Sequence, residues 1–304
     1  MWIRSATPAD MERLAVFSVS EPVVFVDSVQ FRERVAAGHL RPEWSWFAED
    51  GSTIVARALW WGRQDSELPL TLDCLHVLPG VSNRIALATE LMVQAHREFD
   101  TRPDYQLIVS TGGPERNRAV EWRSKAAKEA GLTRVVKRLQ YVWTPASGVV
   151  ADSGRLVFRP GSDREFLDAF RQIAVGSLDF ITQEQLAVMD PDSQAKSELE
   201  FYRSCPGERS WWRIAETNGK LVGFAVPSAT SYNRNVGYLG VVPALRGRGY
   251  VDDILAEVTR FHASDGADRI TATTDEANTP MAAAFDRANY QMTETRWVFS
   301  SPAG

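Results

Sequence analysis

The chain has 304 residues, 44% hydrophobic and 24% charged, which is typical of a globular protein with one or two domains. Its net charge is -5 without a basic stripe, and such a chain is poorly suited to nucleic acid, whose binding depends on neutralising phosphates. No apolar run approaches the length of a membrane span, and the first residues lack the long apolar core of a signal peptide, so we expect a cytoplasmic protein that binds no membrane.

The first half of the chain contains strand patterns, in which apolar residues alternate with polar ones, and helix patterns, in which apolar residues share one face. In chain order these are a strand (2–4) and a helix from Met11, a hairpin (46–58) turning at Asp50-Gly51, a strand ending at Pro79 with an amphipathic helix to Phe99, and a strand, helix and strand (106–110, 118–130, 140–143).

The second half repeats this plan. Its elements are a strand (156–159) and a helix (164–175), a hairpin (213–225) turning at Asn218-Gly219, a strand ending at Pro243 with an amphipathic helix to Phe261, and a strand, helix and strand (269–273, 280–288, 296–299). Residues 146–154 are rich in Pro, Gly and Ser and indicate a linker. The sequence therefore predicts two α/β domains of similar plan, 1–145 and 155–304.

The segment Arg246-Gly247-Arg248-Gly249-Tyr250-Val251 is the strongest chemical signal in the chain. A strand ends just before it and a helix begins within it. The two glycines allow successive backbone N–H groups to converge, and a helix N-terminus adds free donors and partial positive charge. We expect a diphosphate site in which Arg246 and Arg248 pair with phosphate oxygens. The alternative is an ordinary glycine-rich loop with solvated arginines.

This segment resembles the signature of the GNAT acetyltransferase superfamily, Arg/Gln-x-x-Gly-x-Gly/Ala between the fourth strand and the third helix. Arg246 and Gly249 match it, and Val251 replaces the final small residue. Asn278 fits the family's asparagine after the fifth strand. The resemblance covers residues 155–300 and, more loosely, the first half. It implies an α/β fold of two tandem GNAT-like domains, each a twisted mixed sheet (α+β) flanked by helices.

The resemblance also implies the ligand and the reaction. Acetyl-CoA lies where the fourth and fifth strands splay apart, and the small-molecule primary amine attacks it directly, without a metal. The strand Gly240, Val241 and Val242 pairs with the pantetheine arm and supplies an oxyanion donor. The diphosphate is held by the loop residues Arg246, Gly247, Arg248, Gly249, Tyr250 and Val251, with Asn278 and Phe285 beside the cofactor.

The catalytic groups are less well defined. Phe285 stands where the family has a tyrosine general acid, and a phenyl ring cannot protonate a thiolate. The strand before the phosphate cradle, the loop 246–251, contains no carboxylate that could act as a base. Tyr238 is its nearest titratable residue and our candidate catalytic group, although a core aromatic is an alternative interpretation. Phe180 and Ile181 lie where the family places acceptor-facing loops.

The first half lacks the phosphate cradle, because Ser82 and Ile85 align with Arg246 and Gly249. Gly112-Gly113 indicates a simple turn. We therefore expect a degenerate N-terminal copy that braces the active domain. Cys74 and Cys205 are isolated, and the four histidines show no metal-ligand spacing.

Two further functions stay open beside an N-acetyltransferase. Phe285 and Val251 favour a non-catalytic protein that binds or senses acyl-CoA, and a structural or interaction protein that has lost CoA binding is the third. Residues 146–304 carry the whole charge imbalance, with 16 Lys and Arg against 21 Asp and Glu, which weakly favours cationic substrates. The chain is expected to be a monomer or homodimer.

Overall fold

The computed structural model describes residues 1–110, 114–230 and 232–302. The turn predicted at Gly112-Gly113 lies outside these residues. The chain forms two compact units. Unit 1 comprises residues 1–137 and 294–304, and unit 2 comprises residues 138–293.

Both units contain strands and helices. In the first half the elements are β1 (Trp2–Ser5), α1 (Met11–Ala15), α2 (Ser28–Ala36), β2 (Ser45–Asp50), β3 (Thr53–Trp61), β4 (Thr71–Val77), α3 (Arg84–Phe99), β5 (Asp104–Ser110), α4 (Pro114–Glu129) and β6 (Arg134–Trp143). In the second half they are β7 (Val157–Arg159), α5 (Asp163–Ala174), α6 (Phe180–Val188), α7 (Pro191–Ser204), β8 (Arg213–Thr217), β9 (Lys220–Ala229), β10 (Arg234–Val241), α8 (Tyr250–Ser264), β11 (Ile270–Asp275), α9 (Thr279–Arg287) and β12 (Gln291–Ser300).

The structure confirms the two hairpins and the amphipathic helices that follow Pro79 and Pro243. It adds three helices that the sequence did not predict, α2, α6 and α7. Phe180 and Ile181, which we expected in a loop, are instead the first two residues of α6. The cause is the side chain of Asp179, which caps that helix by accepting a hydrogen bond from the Thr182 N–H at 2.8 Å.

In each unit, one strand has a different neighbour from the one that the sequence predicted. Unit 1 has the order β1-β2-β3-β4-β5-β12, and unit 2 has β7-β8-β9-β10-β11-β6. Residues 294–299 pair with β5, and residues 138–143 pair with β11. Each unit is thus completed by a strand from the other half of the chain, so the units do not coincide with the predicted division at 146–154. The apolar pattern of a strand specifies its buried face and leaves its neighbour unspecified.

The sheet of unit 2 has helices on both faces. Along β9, Phe224 and Val226 pack with α5 and α7, whereas Ala225 packs with α8 and α9. This follows from strand geometry, because successive side chains point to opposite faces. The residues of β9 and β10 are therefore fixed from both sides, and the neighbouring site is built on a rigid frame.

A bulge in β10 separates this strand from β11. The register against β9 shifts between Asn235 and Tyr238, and Gly237 between them has φ +69°. β10 and β11 pair in parallel only at Arg234–Ile270 and Asn235–Thr271. Beyond those pairs the strands diverge and leave a V-shaped opening in the sheet of unit 2.

The corresponding opening in unit 1 is filled by the unit's own residues. Strands β4 and β5 pair only at Thr71–Asp104 and Leu72–Tyr105. The fully buried Arg123 donates from Nε to the Leu75 carbonyl at 3.0 Å, and its Nη2 contacts the Glu21 carboxylate. On the other strand, the Val24 N–H donates to the Ile108 carbonyl at 2.9 Å. The Leu75 and Ile108 carbonyls at this opening are therefore already paired within the unit.

The bulge at Gly237 predicts a specific cost of substitution. A Cβ there would lie 2.0 Å from the Val226 carbonyl oxygen, whereas Gly219, with the same φ of +69°, has no atom within 4 Å of its Cβ position. Gly219→Ala should lower the free energy of unfolding by about 1 kcal/mol, because alanine is strained in a left-handed backbone conformation. Gly237→Ala should cost at least about 2 kcal/mol more, because the backbone contact must be relieved. Thermal unfolding of both variants measures the difference, and equal midpoints would contradict the bulge geometry.

Candidate functional site

A cleft of about 940 Å³ occupies the V-shaped opening of unit 2. Residues 235–241 of β10 and 272–275 of β11 line its two sides. Residues 245–247 and 249–251 of the loop, and residues of the helices α6, α7 and α9, contribute further walls. A cleft of this size between diverging strands can hold an extended small molecule.

The loop before α8 presents unpaired backbone donors. Gly247 and Gly249 both have φ +75°, and Gly249 is the N-cap of α8. Within the described part of the chain, no group accepts a hydrogen bond from the N–H groups of residues 247–251. Because these donors coincide with the positive end of a helix dipole, the loop suits a phosphate or diphosphate.

Arg246 holds this loop in place from within the protein. Its guanidinium donates to the carbonyls of Val241, Gly176 and Ile173 at 3.1, 2.8 and 2.7 Å. Ile173 lies in the last turn of α5 and Gly176 follows that helix, and carbonyls at a helix C-terminus have no partner within the helix. The structure thus places the Arg246 side chain on main-chain oxygens, whereas we expected it to face phosphate.

Arg155 is a second arginine that orders the loop, and the sequence analysis missed it. Nη1 donates to the Arg248 carbonyl and Nη2 to the Gly249 carbonyl, each at 3.1 Å. Nη2 also pairs with Asp253 in the first turn of α8. With the carbonyls of residues 248 and 249 bonded to Arg155, the peptide groups of the loop are fixed in orientation. The exposed Arg248 guanidinium has no partner among the described residues and can meet an anion.

The edge of β10 toward the cleft also carries main-chain groups. The Val242 N–H donates to the Val222 carbonyl on the β9 side at 2.9 Å. Because N–H groups alternate between the two edges of a strand, the Val241 N–H faces the cleft side. Gly240 precedes Val241 in the strand, and a Cβ at this position would come within 2.4 Å of the Ile173 side chain. This glycine therefore allows α5 to pack closely on the strand.

Asn278 and Phe285 both line the cleft and have clear structural roles. Asn278 caps α9, since its side-chain oxygen accepts from the Met281 N–H at 3.4 Å. Phe285 is 2% exposed and stacks on Tyr141 with ring centroids 4.8 Å apart. Neither residue has a titratable group to offer a reaction.

Tyr238 belongs to an aromatic cluster at the cleft wall. Its ring lies parallel to Phe224 at 5.5 Å and approaches Tyr202 at 5.9 Å. Burial raises the pKa of Tyr238 well above its ordinary value, and burial likewise raises the pKa of Tyr202. Both phenols therefore stay protonated near neutral pH and can donate hydrogen bonds into the cleft.

Glu198 is the carboxylate that the sequence analysis did not find. It lies on α7, lines the cleft and accepts a hydrogen bond from Gln194 Nε2 at 3.3 Å. Burial, and next the charge of Asp179, raise the pKa of Glu198 to about 7. A carboxylate whose pKa lies near neutral pH can both accept and release a proton, which suits a general base. The helix that carries it was itself not predicted from the sequence.

Asp275 ties the start of α6 to the end of β11. Its carboxylate accepts from the Phe180 N–H at 2.7 Å and from Arg138 Nε at 3.1 Å. Burial raises the pKa of Asp275 above its ordinary value. This carboxylate positions the α6 wall of the cleft.

Across residues 1–110, 114–230 and 232–302, no three His, Cys, Asp or Glu side chains are grouped so as to hold a metal ion. Over the same residues, no helix has both the length and the apolar character needed to cross a membrane.

Comparison with known proteins agrees with this geometry. Residues 178–290 match the acetyltransferase (GNAT) family. A Yersinia pestis protein described as an acetyltransferase is 22% identical over 98 residues, which cover 32% of this chain and 70% of the relative.

Two solved structures share the fold. A GCN5-related N-acetyltransferase from Sphaerobacter thermophilus is 18% identical, with a TM-score of 0.59 over 98% of this chain and 94% of that one. A functionally unknown conserved protein from Staphylococcus epidermidis is 13% identical, with a TM-score of 0.52 over 84% of this chain and 92% of that one.

Proposed function

We propose that this protein, whose residues 178–290 match the acetyltransferase (GNAT) family, is an acyltransferase that transfers an acetyl group from acetyl-CoA to the primary amine of a small molecule. The observation that supports this most directly is the set of free N–H groups at residues 247–251 beside the V-shaped cleft. The described residues fit the donor because a diphosphate needs several convergent hydrogen-bond donors, and this loop supplies them.

Acetyl-CoA, when bound, supplies an activated thioester. The amides of residues 247–251 and the Arg248 side chain bind its diphosphate. The pantetheine arm would lie along the cleft-facing edge of β10, where the Val241 N–H would donate to the thioester oxygen as negative charge develops. The remaining residues of the predicted set support this arrangement. Gly240 and Val242 fix the strand, Arg246 anchors the loop, Gly247, Gly249, Tyr250 and Val251 form it, and Asn278 and Phe285 shape the opposite wall.

Glu198 supplies the general base that strand β10 lacks. An alkylamine is protonated at neutral pH, so the Glu198 carboxylate first accepts one proton from the ammonium group. The free amine nitrogen then forms a bond to the thioester carbonyl carbon, and the carbon–sulfur bond breaks. A second proton leaves the nitrogen and is taken up by the departing thiolate, which yields an amide and a free thiol.

Tyr238 remains our candidate for assisting the leaving thiolate, with its neutral phenol as hydrogen-bond donor. Phe285 cannot take this role, because a phenyl ring has no proton to donate to the thiolate. The alternative, a protein that binds or senses acyl-CoA without catalysis, is favoured by Phe285 and Val251. It would be supported if acetyl-CoA binds and no amine in a broad panel releases free thiol.

The glycine pair predicts how acetyl-CoA binding responds to substitution. Gly249→Val forces a branched side chain into φ +75°, which should distort the loop and weaken acetyl-CoA binding at least about tenfold. Isothermal titration calorimetry measures the dissociation constant. Gly266→Val is the matched control, because Gly266 has φ +80° at the other end of α8 with open space around it. Equal affinities for both variants would rule out the loop as the diphosphate site.

Glu198 predicts a pH dependence of catalysis. Since only its ionised form accepts a proton, kcat/KM should rise with pH through about 7. Glu198→Gln should remove that transition and lower kcat about 100-fold. The exposed Glu200 on the same helix provides the control variant Glu200→Gln. Retention of the transition in Glu198→Gln would assign it to another group.

The same pKa shift predicts a stability change of defined sign. A carboxyl whose folded-state pKa is raised, here from 4.5 to about 7, contributes stability at low pH that is lost as pH rises through 7. Glu198→Gln should therefore stabilise the protein at pH 8, by up to about 3 kcal/mol, and much less at pH 5. Thermal unfolding at the two pH values provides a measure independent of turnover.

The filled opening of unit 1 predicts one acetyl-CoA site per chain. Calorimetry of the whole chain should give a stoichiometry of one, because Arg123 and Val24 occupy the strand-edge groups in unit 1. A stoichiometry of two would show that unit 1 also binds, and would contradict its role as a degenerate copy.

A further inference from the structure

The part of the cleft next to α6 and α7 is acidic. Asp179, Glu198 and Asp275 all line it. Among the described lining residues the cations are Arg138 and Arg246. Arg138 is paired with Asp275, and Arg246 is bonded to three carbonyls. Asp275 is likewise engaged, with Arg138 and the Phe180 N–H, and Asp179 caps α6 through Oδ1. The described wall thus offers Glu198 and the second oxygen of Asp179 to a ligand, and its arginine side chains are already engaged.

Apolar side chains lie beside these carboxylates and are exposed. Leu178, Ile181 and Phe201 are 47%, 42% and 58% exposed and all line the cleft. Phe201 also meets Tyr202 edge to face, with centroids 5.0 Å apart. Exposed apolar side chains grouped at a cleft favour a ligand with its own apolar surface.

From this arrangement we propose that the acceptor is a primary amine attached to an apolar, preferably aromatic, body and lacking a carboxylate. This inference rests on the proposed function and specifies its substrate class. The ammonium group lies near Glu198 and Asp179, and the apolar body contacts Leu178, Ile181 and Phe201.

A carboxylate on the acceptor is disfavoured for a direct physical reason. Next to the amine it would lie close to Glu198 and Asp179, whose charges repel it. It would also be removed from water without a free cation among the described lining residues to receive it. Free amino acids are therefore poor acceptors, although they carry the same nucleophile.

The proton and the acetyl group are transferred in the same steps as in the proposed acetyl transfer. Glu198 accepts one proton from the ammonium group, the carbon–nitrogen bond forms as the carbon–sulfur bond breaks, and the thiolate takes the second proton. The ammonium charge is thereby consumed in the cleft, so the acidic wall favours the substrate over the neutral amide product.

The first experiment compares phenethylamine, phenylalanine and phenylalanine methyl ester at saturating acetyl-CoA, with thiol release as the readout. Phenethylamine should exceed phenylalanine in kcat/KM about 100-fold, because like charges at a recognition site discriminate strongly. The ester has the size of phenylalanine without its negative charge and should lie within about tenfold of phenethylamine. If phenylalanine equals or exceeds the ester, the charge argument is overturned.

The second experiment tests the apolar wall. Phe201→Ser and Ile181→Ser should each lower kcat/KM for phenethylamine about tenfold, and should lower it less for ethylamine. Val188→Ser is the control, because Val188 is an exposed apolar residue on α6 that lies outside the cleft lining. Equal losses for the two amines in the wall variants, or an ethylamine rate equal to that of phenethylamine in the parent protein, would overturn the apolar half of the inference.

The outcomes separate this inference from the proposed function. If acetyl-CoA binds and no amine releases thiol, the acetyltransferase proposal itself fails. If amines are acetylated with amino acids among the preferred acceptors, the proposed function stands and the substrate class is wrong.

Discussion

The candidate site depends on the separation of β10 from β11. A continuous parallel ladder would pair the edge of β10 along its length and leave no room for a ligand. The bulge at Gly237 ends the pairing after Asn235–Thr271, and only a residue without a Cβ fits beside the Val226 carbonyl. The cleft is therefore built into the backbone of the sheet, and side chains modify a space that already exists.

Each unit has an opening between two diverging strands, and the two openings differ in what occupies them. In unit 1 the strands β4 and β5 diverge after two pairs, and Arg123 and Val24 satisfy the exposed strand-edge groups. In unit 2 the equivalent opening is a cleft of about 940 Å³. Buried main-chain groups must be paired, so an opening is either filled by the protein or left to a ligand and water. This difference supports a division of roles between the units.

The sequence predicted the features that are local in the chain. The loop 246–251 could be recognised because the strand, the glycines and the helix are consecutive, and the hairpins because Asp50-Gly51 and Asn218-Gly219 determine their turns. Contacts between distant residues could not be predicted in this way. Arg155 lies about ninety positions before the carbonyls that it binds, and strand patterns do not specify that residues 138–143 pair with β11.

The chemistry of Glu198 shows the same limit. Its pKa depends on burial and on the charge of Asp179, which lies on the other side of α6 in the chain. No spacing rule links the two residues, and a glutamate on a polar helix would ordinarily be solvated. The structure brings a carboxylate with a near-neutral pKa into a cleft where the strand itself carries no base. In the proposed function, this carboxylate is the base that the strand lacks.

Two arginines hold the loop 246–251 through main-chain carbonyls, and this has a chemical consequence. Arg246 and Arg155 together bind the carbonyls of Ile173, Gly176, Val241, Arg248 and Gly249. A loop fixed by its carbonyls keeps its N–H groups oriented before the ligand arrives, so little conformational entropy is lost on binding. In the proposed function, the attraction for a diphosphate then comes from the amides, the helix dipole and Arg248. Replacing either anchoring arginine would thus act through the shape of the loop as well as through its charge.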